Sequence, residues 1–313
     1  MANEKITLKL RQTYARVYKQ CARKYDLAVN HKLVAKNKSI ALSIGTAAHA
    51  GRAEYLRTFD VTAALHATMA SLDAEILAYP SIALKPHTKE KGQNCLYQPC
   101  VDCARRMLTE VIAYYCGNFD RLYSRASVQV IAVEMPFEYV LAEYEDLQLV
   151  LTGTFDAAIM YGPYFINFEF KTTGKQLGHF FDTEYLSPQH KTYPMALASL
   201  FPEKQVYGTV LDAVRKPGAT YGPEHDKHLI PVTAEDFAAL RRDYEWTLRD
   251  IAKSMSDDYW QPNYDNCFTI RGRCEFYPIC KSNFSPRVIE SEYVVVDDLK
   301  QIIEEDENGE AQP

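Results

Sequence analysis

The sequence predicts an α/β unit with a helical first part, a stranded middle and a cysteine-bearing end piece. Three observations carry this. The apolar pattern is helical through most of residues 6–116. From Val128 to Lys171 the period becomes two, with Val, Ile, Phe and Tyr alternating against polar residues. After the last long helical stretch, Cys267, Cys274 and Cys280 fall in a segment bearing Pro, Asn and Gly. With no internal repeat and no Pro/Gly-rich linker, one domain over 1–303 is expected. Its parts are a helical N-terminal region (1–126), a core (127–215) and a helix-and-cysteine region (216–289). An acidic disordered tail follows at 304–313.

Ile6 to Ala35 patterns as helix, broken near Cys21. Ser43-Ile44-Gly45-Thr46 leads into a helix over Ala47–Phe59, with His49 in its first turn. A helix over 61–79, a polar loop from Pro80 to Pro99 and a helix over Val101–Cys116 come next. Val128–Tyr139, Gln148–Met160 and Tyr164–Lys171 form an antiparallel meander, turning at Tyr161-Gly162-Pro163. Ser187-Pro188 starts a helix with Ser as cap, and Gln205–Ala213 is a further strand. Thr233 caps a helix running to Met255, with Glu235 and Asp236 in its first turn.

The chain has 313 residues, 47% of them hydrophobic, which excludes wholesale disorder. Its net charge of −6 opposes a generic cationic nucleic-acid coat. The charge is uneven: residues 1–38 carry ten Lys and Arg against two acids, and residues 290–313 carry nine acids against one Lys. The basic start reads equally as a phosphate contact or a solvated helix face. No apolar run approaches the roughly 18 residues of a membrane span. The start lacks a secretory pattern, so the cytoplasm is the expected location, or the bacterial host cytoplasm for a phage-encoded protein.

The chemistry concentrates in Gly153-Thr154-Phe155-Asp156 and Glu169-Phe170-Lys171. Glu169 and Lys171, two apart on a strand, share a face. The hairpin turn at Gly162 brings Asp156 on the neighbouring strand close to Glu169. Two carboxylates and an ammonium among apolar neighbours are costly unless paired or metal-bound. Paired carboxylates suit a cation of the Mg²⁺ or Mn²⁺ type, and the lysine beside them can position a water for phosphodiester hydrolysis. His49 stands at a helix start, and Gln189 and Tyr193 share a helix face.

In this order the residues resemble the PD-(D/E)xK nuclease superfamily, in particular its RecB-like branch. The motifs are Gly45 to His49, Gly153 to Asp156, Glu169 to Lys171 and Gln189 to Tyr193, across roughly residues 40–215. The resemblance implies a restriction-endonuclease-like core, a central mixed sheet flanked by helices. It assigns His49, Asp156, Glu169 and the Phe170 carbonyl to metal, Lys171 to the water, and Gln189 and Tyr193 to the substrate strand. One departure is Pro194, directly after Tyr193, which should kink that helix.

Eight cysteines without a secretion signal argue for metal or core use rather than disulfides. Cys267, Cys274 and Cys280 need a fourth partner, and Cys21 is available. A distant first cysteine plus three near the C-terminus is similar to the iron–sulfur clamp of some RecB-like nucleases, among them CRISPR adaptation nucleases and AddAB-type nuclease domains. This implies a [4Fe–4S] cluster, with structural Zn²⁺ as the alternative. Cys95, Cys100 and Cys103, with Cys116 or His87, have the spacing of a second site, or are ordinary loop and core thiols.

The expected activity is therefore a metal-dependent DNA nuclease, an exonuclease on single-stranded or end-bearing DNA. The context expected from its type is phage or mobile-element recombination, replication or defence. No nucleotide-binding loop builds in a motor, so a helicase or recombination partner would be a separate protein. The alternative is a nucleic-acid-binding or adaptor protein that keeps the fold without cleaving.

Overall fold

The computed structural model describes residues 6–37, 39–82, 95, 100–144, 147–218, 220–269 and 272–296. The expected tail at 304–313, His87 and most of the Pro80–Pro99 loop lie outside them. In chain order the elements are β1 (Ile6–Arg11), α1 (Gln12–Gln20), α2 (Ala22–Tyr25), β2 (Leu33–Ala35), α3 (Ile40–Thr58), α4 (Val61–Ala78) and α5 (Val101–Tyr123). Then come β3 (Val128–Glu143), β4 (Leu147–Tyr161), β5 (Tyr164–Thr173), α6 (Leu177–Glu184), α7 (Gln189–Leu200), β6 (Val206–Arg215), β7 (Glu224–Pro231) and α8 (Ala234–Ser256). The end holds β8 (Phe268–Thr269), β9 (Gly272–Arg273), α9 (Tyr277–Lys281), α10 (Pro286–Glu292) and β10 (Tyr293–Val295). The chain forms two compact units, residues 1–37, 138–153 and 238–313 in one, and 38–137 and 154–237 in the other. Among the described residues no helix is long and apolar enough to cross a membrane.

The second unit carries a mixed sheet. β4 and β5 pair antiparallel from Ala157↔Phe168 to Tyr161↔Tyr164, β5 and β6 pair parallel, and β6 and β7 pair antiparallel. Alternation assigns the two faces. Ile166, Phe168 and Phe170 of β5, with Val210 and Val214 of β6, pack into one core with α3, α4 and α5. Leu211 and Ala213 point the other way, onto Leu177, Phe180 and Phe181 of α6. Helices therefore cover both faces, as the fold class requires. α3 and α4 approach closely at Gly51, where an added Cβ would lie 1.9 Å from Thr68 Oγ1.

The first unit joins the two ends of the chain. β1 pairs parallel with β4 from Ile6↔Leu147 to Arg11↔Thr152, and β10 pairs antiparallel with β2. Leu27, Ala28 and Leu33 bury against Phe276, Ile279 and Tyr293. Tyr25 stacks on Trp260 at 5.7 Å, and Tyr18 shares a hydrogen bond with Ser254.

Several elements differ from the sequence reading. Ile6–Arg11 is a strand rather than the start of a helix. Its Leu8 and Leu10 turn inward while Thr7 and Lys9 are exposed, a period of two hidden in six residues. α3 begins at Ile40, capped by Ser39 whose Oγ accepts from Ala41 N, so Gly45 lies within the helix rather than in a turn before it. α7 begins after Pro188 with no side-chain cap. Ser187 contributes its carbonyl, which accepts from His190 N at 3.2 Å. α6 and β7 went unread. The expected cap of α8 is formed reciprocally: Thr233 Oγ1 accepts from Asp236 N, and Asp236 Oδ2 accepts from Thr233 N.

Pro194 sits inside α7, and the helix runs through it. A proline there leaves the carbonyl four residues earlier, on His190, without its helical donor. Thr209 Oγ1 of β6 donates to that carbonyl at 2.7 Å. The same hydroxyl accepts from Asn167 Nδ2 of β5 at 3.1 Å. The expected weak point of the helix is thus tied to the sheet.

Candidate active site

β4 and β5 deliver the acidic residues. Their ladder runs to Ala157↔Phe168, and one step further the antiparallel register sets Asp156 opposite Glu169 on one face. Asp156 Oδ2 accepts from Phe170 N at 2.6 Å. His49, from α3, places Nδ1 3.5 Å from Asp156 Oδ1. Burial pushes the Asp156 carboxyl up, but the His49 imidazole, Lys171 and the Phe170 amide outweigh it and hold the group below its usual range.

Glu169 is 1% exposed and Lys171 5%. Lys171 Nζ stands 3.1 Å from Glu169 Oε1. Gln189, at the start of α7 and buried, links the two: its Nε2 donates to Glu169 Oε1 at 2.8 Å and its Oε1 accepts from Lys171 Nζ at 3.3 Å. The bonds to Glu169 Oε1 and to the Lys171 ammonium make so deep a position tolerable. Tyr193 lies edge-on to Phe137 and Phe155 at 5.6 and 5.7 Å, half-buried. The structure therefore brings His49, Asp156, Glu169, Lys171 and Gln189 together, and sets Tyr193 in an aromatic cluster beside them.

Glu134 is a residue the sequence reading missed. Its carboxylate joins His49 and Asp156 in a set whose ligand atoms all lie within 4.8 Å of one another. One imidazole nitrogen and two carboxylates form a donor set that fits a divalent cation such as Mn²⁺ or Mg²⁺. Glu134 has φ +52° in the middle of β3, a conformation that costs a non-glycine residue energy and re-aims its side chain. The signal was Pro136, two residues on, because proline within a strand marks an edge or a bulge.

Arg52 was missed as well. It lies one turn beyond His49 on α3, fully buried, with its guanidinium over the Tyr115 and Phe170 rings at 4.8 and 4.5 Å. It donates to the Lys171 carbonyl at 3.0 Å and to the Asp212 carbonyl at 2.6 Å, and pairs with the Asp212 carboxylate. Tyr123 and His225 also hydrogen-bond that carboxylate. One helix thus supplies His49 to the site and anchors the backbone that carries Lys171.

In the first unit, Cys21, Cys267, Cys274 and Cys280 share a neighbourhood. Burial raises the Cys267 thiol, and Cys280 and Cys21 raise it further. Burial pushes the Cys274 thiol up to about 11. Asn263 N donates to Cys21 Sγ at 3.3 Å, and Cys274 N donates to the Cys267 carbonyl at 2.8 Å.

The model of the PD-(D/E)XK nuclease superfamily matches residues 10–281. Among solved structures, the chain is similar to a protein of Eubacterium rectale described provisionally as an exonuclease. The TM-score is 0.46 and the identity 14%, over 90% of this chain and 88% of that one. No curated protein matches it. With its motif residues gathered on β4, β5, α3 and α7, and a match that spans most of its length, the chain belongs to the PD-(D/E)XK nuclease superfamily.

Proposed function

We propose that the protein is a metal-dependent deoxyribonuclease acting as an exonuclease on single-stranded or end-bearing DNA. The observation that carries the reading is the buried Glu169–Gln189–Lys171 cluster on the same strand face as Asp156, with His49 and Glu134 adjacent. His49, Asp156 and Glu134 would hold the cation, with Glu169 and the Phe170 carbonyl next to them. A divalent ion supplies Lewis acidity toward a phosphoryl oxygen and lowers the pKa of a bound water. Lys171 donates hydrogen bonds to the attacking oxygen and steadies its growing negative charge. Gln189 is a positioning residue: it fixes the Glu169 carboxylate and the Lys171 ammonium relative to each other. The preference for ends rests on the motif order shared with the RecB-like branch. Recombination, replication or defence of a phage or mobile element, with a separate helicase or recombination protein as partner, is the context we infer.

End-labelled substrates test this. With Mn²⁺, strands labelled at 5′ or 3′ should lose short products from one end. A ladder of internal cuts would replace the exonuclease reading with an endonuclease.

The same reading places a [4Fe–4S] cluster on Cys21, Cys267, Cys274 and Cys280, with zinc as the competing occupant. Brown, iron-bearing protein supports the cluster. A colourless, iron-free, zinc-loaded preparation would sink it.

A further inference from the structure

Three thiols outside the nuclease site are gathered in the second unit. Cys95, Cys100 and Cys103 are 2%, 5% and 0% exposed, and their Sγ atoms all lie within 4.8 Å of one another. Among the described residues they form a buried cluster of their own, without an aliphatic or aromatic member. Cys116, further along α5, packs instead with Tyr115 and Phe119 in the main core. Cys100 is the N-cap of α5 and Cys103 stands in its first turn, at the positive end of the helix dipole. Cys103 Sγ accepts from Cys95 N and from Arg106 Nη2, each at 3.4 Å. An amide and a guanidinium thus both point at one sulfur of the cluster.

We propose that Cys95, Cys100 and Cys103 bind one zinc ion through three thiolates. Zinc holds sulfur at about 2.3 Å, so tetrahedral ligands around it sit about 3.8 Å apart, and sulfurs all within 4.8 Å of one another are compatible with that spacing. Three soft sulfurs select zinc over the hard cations suited to the nuclease site. Each S–H bond is broken as its S–Zn bond forms, and up to three protons pass to solvent. Two positive charges on the ion against three thiolates leave one net negative charge, which Arg106 and the start of α5 face. Cys116 is not the fourth ligand: it lies thirteen residues further along α5, about 20 Å away along the axis. The site would tie Cys95 to the first turn of α5, and it takes no part in the hydrolysis proposed above.

The test is zinc stoichiometry of the full-length protein, comparing wild type with Cys100→Ser, Cys103→Ser and Cys116→Ser. Loss of about one equivalent in the first two variants, with none lost from Cys116→Ser, is expected. Equal zinc in wild type and Cys100→Ser would overturn the proposal. A second measurement needs no variant. Wild-type protein is treated with a zinc chelator, and alkylation of each cysteine is mapped by mass spectrometry. Cys95, Cys100 and Cys103 should gain reactivity together as zinc is released. Unchanged reactivity of all three, or wild-type protein that holds no zinc after incubation with it, refutes the site.

Discussion

A carboxylate as deep as Asp212 survives only because Arg52, Tyr123 and His225 surround it. Burial raises its pKa, but His225 and Arg52 dominate and hold it below the usual range. The unfolded value is about 3.9. The stabilisation is therefore complete above that pH and fades as pH falls through the lower, folded value. Arg52→Ala should cost about 3–5 kcal/mol, read as a drop in urea midpoint, because it strands a buried carboxylate. Asp212→Asn should lie well below wild type near neutral pH, and the gap should narrow as the medium is acidified below about pH 4. A gap of constant size would show that the charge of Asp212 contributes nothing.

Glu134 makes a prediction with two signs. Glu134→Gly removes the φ +52° strain and should raise the stability of metal-free protein by about 1 kcal/mol. The same change should weaken Mn²⁺ binding by roughly tenfold or more, as judged by titration calorimetry. If affinity is unchanged, Glu134 is not a ligand. The residues that were legible in the sequence, Asp156, Glu169 and Lys171, are close in the chain and follow strand periodicity. Glu134 and Arg52 were not legible, because a backbone turn inside β3 and a partner 160 residues away determine what they do.

At the level of elements, the packing of α3 on α4 turns on one missing methyl group. Gly51→Ala should destabilise by about 1–3 kcal/mol, because Thr68 Oγ1 and the Ala64 carbonyl occupy the space. Thr68→Ala in the same chain should recover part of that loss, and a double-mutant cycle measures the coupling. Thr209→Val should cost about 1–3 kcal/mol in chemical denaturation, since it leaves the His190 carbonyl exposed by Pro194 without its donor. Long periodic elements such as α4, α5 and α8 were readable from their patterns. β1 was not, because six residues run straight into a helix and their partner lies near residue 150. β7 was hidden by its mixture of His, Asp and Lys and by the lack of a clean alternation, because its two buried residues, His225 and Ile230, lie five apart on opposite faces of the strand.

For the whole molecule, charge composition gave a misleading first impression. Four of the basic residues near the start have partners within their own unit: Lys9 with Glu138, Lys19 with Asp243, Lys24 with Glu275, and Lys36 with the Glu290 carbonyl. Each exposed pair contributes at most about 1 kcal/mol. A net charge of −6 is compatible with a nuclease, since the cation proposed for its site would offset part of that charge.

The most direct measurement incubates a fluorescent single strand and a duplex with Mn²⁺, and compares wild type with Lys171→Ala after both are shown to be folded. Cleavage by wild type that a chelator abolishes is expected, with a rate at least roughly a hundredfold lower in Lys171→Ala. Equal cleavage by the two proteins, or binding without cleavage by wild type in both Mg²⁺ and Mn²⁺, would contradict it.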